Sequence, residues 1–98
     1  MPGSVIVSGA RTPIGKLSGA FADLTAQQLG TTAIAKALEQ AGISGDQVEY
    51  LIMGQVIQAG AGQNPARKAG TDAGIPMSVP SFTLNKVCLS GQIGRAHV

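Results

Sequence analysis

Aromatic side chains are nearly missing from this sequence: there is no tryptophan, and Phe21, Tyr50 and Phe82 are the whole set. Charge is also scarce, at 12% of residues, and the formal net charge of +2 is spread along the chain without a basic block. A chain with neither aromatic platforms nor a cationic stripe cannot track a nucleic acid backbone and stack its bases, so nucleic acid is excluded as a partner. Long hydrophobic runs are missing too. No segment approaches the roughly 20 apolar residues that span a bilayer, and no cationic, apolar and small-residue leader opens the chain, so no membrane partner is expected and a cytoplasmic location follows by default. A single cysteine, Cys88, rules out an internal disulfide and leaves two options, a small buried hydrophobe or a thiol with chemistry to perform.

What is present is small and apolar. Hydrophobic residues make up 44% of the 98, and fourteen are glycine, a composition that suits helices packed closely on a covered sheet and excludes a disordered chain. One domain at most fits this length, with little margin of stability. Residues 4–8 (SVIVS) form a β-branched run stopped by Gly9 and Pro13 and predict a first strand. Thr25 and Gln28 are spaced as a capping box for a helix over 26–41, whose apolar positions recur every three or four residues and which ends at Gly42 and Ile43. After a turn capped by Ser44, residues 50–58 (YLIMGQVIQ) predict a central strand that would complete a β-α-β unit with the first strand and helix. A short second helix follows, with Asn64 as cap, Pro65 at its first position and an end near Gly74. A loop marked by Pro76 and Pro80 then leads to a third strand over 81–87. The pattern is α/β.

Cys88 falls where that third strand gives way to a helix. Such a junction suits a nucleophile, because the helix dipole and the free amides of a first turn favour thiolate over thiol and can donate to a developing oxyanion. Position alone leaves the buried structural option open. The stretch GAGQNPAR over 60–67, by contrast, is no phosphate cradle: it lacks the GK[ST] ending of a P-loop and the spaced glycines of a dinucleotide fingerprint. Asn64 and Arg67 are therefore expected to be structural, Arg11 to be solvated or structural, and Met53 and Met77 to fill packing gaps.

Three segments, GARTPIG at 9–15, GQVIQAGAGQNPAR at 54–67 and NKVCLSG at 85–91, stand in the order and rough spacing seen at the start of the thiolase family. The chain resembles that family over nearly everything from residue 5 to 91, and most closely its biosynthetic acetyl-CoA acetyltransferases. The resemblance implies the N-terminal part of a layered α-β-α-β-α fold, incomplete as a half-domain. It implies that Cys88, at the cysteine of NxxCxSG, takes an acyl group from acyl-CoA and yields it to a second acetyl-CoA, by ping-pong kinetics. Coenzyme A thioesters are then the substrates. No cofactor or metal is implied, and the complete protein is expected to be a homodimer or homotetramer.

The same resemblance sets limits. The activating histidine, the second cysteine and the remaining oxyanion groups belong to the C-terminal half of such proteins, and His97 is no substitute. Residues 93–98 (IGRAHV) depart from the family pattern and resemble the translation of a sequencing-library adapter, so 1–92 is expected to be a partial thiolase N-terminal domain and 93–98 a non-native tail. A third strand with no native helix behind it would leave one sheet face bare, which predicts poor solubility. The alternatives are a 3-ketoacyl-CoA thiolase of fatty-acid β-oxidation or a decarboxylating condensing enzyme of the same fold, a truncated fragment with no function of its own, and a Gly-rich nucleotide-binding module.

Overall fold

A computed structural model describes residues 3–97, with the side chains of 94–97 outside the description. It is an α/β arrangement of three helices, a short 3-10 turn and two strands. In chain order these are α1 (Ala26–Ala41), the turn Gly45–Gln47, β1 (Leu51–Gly54), α2 (Pro65–Asp72), β2 (Ser81–Leu84) and α3 (Ser90–His97). Of the expected tail over 93–98, the backbone of 93–97 continues helix α3, and Val98 lies outside the described residues.

Helix α1 begins and ends where its sequence signals stand. The Thr25 hydroxyl accepts from the Gln28 amide at 3.1 Å, and the Gln28 side chain accepts from the Thr25 amide at 2.8 Å, so two orphan donors are satisfied reciprocally. At the other end Gly42 takes φ 71°, which only glycine adopts freely. The Ile43 amide then closes back on the Leu38 carbonyl at 3.2 Å, the Schellman pattern.

The strands β1 and β2 run parallel, with Leu51 opposite Ser81 and Gly54 opposite Leu84. Helix α2 lies between them in sequence, so β1–α2–β2 is the crossover unit. Strand alternation then assigns the faces. Leu51 and Met53 point toward α2 and α1, where Leu51 meets Gly70 and the Met53 methyl lies 3.3 Å from the Cβ position of Gly30. Gly54 points the other way, toward the start of α3. The result is two helices over one face and α3 over the end of the other. The core is small: Leu51, Ile75 and Val79 cluster with Ala66 and Ala69 also buried, each large aliphatic contributing about 1.5–3 kcal/mol on burial.

Several sequence expectations require correction. Residues 4–8 are not a strand: Val5, Ile6 and Val7 are 84%, 79% and 71% exposed, and the segment lies along α1, tied by the Ser8 hydroxyl donating to the Ala37 carbonyl at 2.7 Å. A β-branched run supplies propensity only; a strand also needs a ladder, and among the described residues the sheet is formed by β1 and β2. The expected β-α-β unit built on that first strand is replaced by β1–α2–β2. Both observed strands are shorter than their apolar runs, because Gln55 and Asn85 turn the chain into loops. Met77 is 67% exposed rather than packed, with its sulfur 3.3 Å from the Thr71 hydroxyl.

The chain exposes 6881 Å², against roughly 5,200 Å² for a compact monomer of its mass. Much of the surplus is apolar, including Ile14, Leu17, Ile57 and Val87. Relative to a complete layered fold the arrangement is incomplete.

Candidate active site

The segment between β2 and α3 is a turn held by hydrogen bonds from Asn85, Lys86, Val87, Leu89 and Ser90. The Asn85 side chain donates to the Val56 carbonyl at 2.8 Å and accepts from the Val87 amide at 3.1 Å. The Leu89 amide donates to the Lys86 carbonyl at 3.0 Å, and the Ser90 amide to the Val87 carbonyl at 3.2 Å. Val87 is forced to φ 48° to make this reversal. A β-branched residue resists that conformation, which costs on the order of 1–3 kcal/mol and persists only because the surrounding bonds determine it.

Cys88 sits at the apex, exposed and free, two residues ahead of α3. In this chain the thiol is therefore not among the buried side chains. The amides of Gly91 and Gln92, in the first turn of α3, are of the kind that lack intrahelical acceptors and can serve an anion. The hydrogen bonds of this turn involve only backbone, Asn85 and Ser90; no carboxylate or imidazole takes part among the described residues.

Sequence singled out Ser90 only as part of the NKVCLSG segment, yet it is the one buried polar residue among those described, at 3% exposure. Its hydroxyl accepts from the Lys86 amide at 2.8 Å and reaches the carbonyls of Val87 at 2.7 Å and Gln55 at 3.2 Å. Gly54 makes room for it. A Cβ on Gly54 would lie 2.6 Å from the Ser90 Cβ and 2.8 Å from the Gly91 nitrogen. A glycine ending an apolar strand was the available signal for such a close approach.

The segment at 60–67 does different work. The Asn64 carbonyl oxygen caps α2 at the Arg67 amide, 3.4 Å, and accepts from the Thr83 hydroxyl at 2.9 Å, while its amide donates to the Ser81 carbonyl at 3.1 Å. The Arg67 guanidinium donates to the carbonyls of Pro76 at 3.3 Å and Val79 at 2.6 Å, pinning the loop from α2 to β2. Both residues are structural, as their sequence context suggested. Arg11 reaches only its neighbour's carbonyl, at 3.2 Å from Thr12. A cleft of about 450 Å³ opens beside this segment, lined by Gln27, Asn64, Arg67, Lys68 and Asp72 among others, but Cys88 is not part of it. Among the described residues no group of three acidic, histidine or cysteine side chains could hold a metal ion, and no helix is long and apolar enough to cross a membrane.

Comparison with known proteins places the chain in a family. The family described as thiolase, N-terminal domain, matches residues 4–96. A probable acetyl-CoA acetyltransferase of Mycobacterium tuberculosis is 59% identical over 91 residues, which are 93% of this chain and 23% of that protein. The acetyl-CoA acetyltransferase of Cupriavidus necator is 55% identical over 87 residues, 89% of this chain and 22% of that protein. The mitochondrial acetyl-CoA acetyltransferase of Xenopus tropicalis is 53% identical over 87 residues, 89% of this chain and 21% of that protein. The chain thus spans less than a quarter of the length of these relatives.

Proposed function

The chain belongs to the thiolase N-terminal domain family, and from that premise we propose that it supplies the nucleophile of an acetyl-CoA acetyltransferase. The observation that carries this reading is the exposed thiol of Cys88 on a hydrogen-bonded, strained turn ahead of a helix. A nucleophile must be both accessible and held still, and few surface cysteines are both.

The Cys88 sulfur attacks the carbonyl carbon of acetyl-CoA, with first-turn amides available to the oxyanion. Collapse breaks the bond to the coenzyme A sulfur, and free coenzyme A leaves with the proton given up by Cys88. A second acetyl-CoA, deprotonated at its methyl carbon, attacks the acyl-Cys88 carbonyl; acetoacetyl-CoA forms and the cysteine returns. The reverse direction is thiolysis. The bases for both proton transfers come from outside these 98 residues, and a homo-oligomeric, cytoplasmic enzyme is proposed for the whole protein, although the Xenopus relative's name assigns that protein to mitochondria. The acetyl-specific reading is preferred to one with longer acyl chains because the relatives' names specify acetyl-CoA.

The lack of any imidazole or carboxylate in the Cys88 turn among the described residues favours a second reading, that the 98 residues alone are inactive. Thiolysis kinetics of the full-length enzyme test the main proposal. Varying acetoacetyl-CoA and coenzyme A should give parallel double-reciprocal lines, the signature of an acyl-enzyme formed before the second substrate reacts. Intersecting lines would contradict it.

A further inference from the structure

We infer that Ser90 is a positioning residue for Cys88, acting through the turn that carries the thiol; the inference rests on the proposed nucleophilic role of Cys88. The hydroxyl of Ser90 lies behind the apex of the turn. It accepts from Lys86, on the strand side of Cys88, and directs its one proton at two carbonyls, with the shorter contact to Val87. The third contact, to Gln55 at 3.2 Å, ties the turn to the end of β1. Three separate pieces of backbone therefore meet at one oxygen: both residues preceding the cysteine, the first residue of α3 and the end of the neighbouring strand.

The placement is tight on all sides. Ser90 is 3% exposed, and the missing Cβ of Gly54 is what lets it seat against β1. A buried hydroxyl with three partners has one arrangement, and it transmits that arrangement to Val87, whose φ of 48° sets the direction of the next residue. Loss of the hydroxyl leaves the Lys86 amide without its acceptor and frees Val87 to relax toward negative φ, which would turn Cys88 away from its line of attack. Small displacements of a nucleophile are expensive in rate, on the order of tenfold to a hundredfold for about an ångström.

The test compares wild type and Ser90→Ala in the full-length enzyme, by quenched single-turnover acetylation with acetyl-CoA and by steady-state kinetics. The expected result is a fall in acylation rate of roughly tenfold or more, with KM for acetyl-CoA within about twofold and the variant folded at the assay temperature. Acylation within about twofold of wild type would overturn the inference, as would a rate loss matched by loss of folded enzyme. Wild type is read first: absence of acetylated Cys88 there refutes the nucleophile itself, whereas a normal wild-type adduct with an unaffected variant refutes Ser90 alone. Should Ser90→Ala not fold, amide hydrogen exchange in wild type decides. Strong protection at Lys86 agrees with the bond to Ser90, and exchange at the rate of an open loop overturns it.

Discussion

Helices α2 and α3 both follow loops that leave the sheet, but the residues ahead of them dispose of their polar groups in opposite ways. At the start of α2, Asn64 and Arg67 turn inward and direct their side chains at the Ser81, Thr83, Pro76 and Val79 region. Before α3, the backbone and Ser90 satisfy one another and leave the thiol of Cys88 outside. The first pattern builds a joint; the second presents a group. A string of polar residues at a helix start can be either, and the destination of its hydrogen bonds separates them.

The sharpest way to break this comparison is to exchange the presented group. Cys88→Ser in the full-length enzyme should lower kcat by several orders of magnitude, while the unfolding free energy from urea titration stays within about 0.5 kcal/mol of wild type because the side chain is exposed. A large stability loss would mean that Cys88 belongs to a joint after all. Arg67→Ala should behave in the reverse manner: removing two charged donors from the Pro76 and Val79 carbonyls is expected to cost about 2–3 kcal/mol in urea unfolding, with the acylation rate per folded molecule little changed. Gly54→Ala falls between the two. Its new methyl would press on Ser90 and Gly91, with an expected cost of about 1–3 kcal/mol and a measurable slowing of acylation, since the same contact supports the Cys88 turn. At the small end, Lys68→Ala should change stability by less than about 0.5 kcal/mol, because its 3.1 Å pair with Asp72 is solvent-exposed.

Much of the helical structure was legible in the sequence because its signals are local. Thr25 with Gln28, Gly42 with Ile43, and Asn64 before Pro65 each fix a helix end within a few residues, and each is found with the bonds its spacing implies. The strands were less legible. Residues 4–8 carry stronger β-branched character than residues 81–84, yet only the latter form a ladder, because pairing depends on a neighbour that the run itself does not encode. In the site, a cysteine at a strand-to-helix junction was anticipated, but its exposure was not. The left-handed Val87 was not, since a β-branched residue is the least expected occupant of positive φ, and although Ser90 stood in the NKVCLSG segment, its three partners are set by the tertiary approach of β1 to α3.

The most direct measurement is peptide mass spectrometry of the full-length enzyme quenched after mixing with acetyl-CoA in the absence of coenzyme A. The account predicts one acetyl group on the peptide containing Cys88, removable by added coenzyme A and missing in Cys88→Ser. An acetyl adduct that persists in Cys88→Ser, or one that forms elsewhere in the wild type while Cys88 stays free, would contradict it.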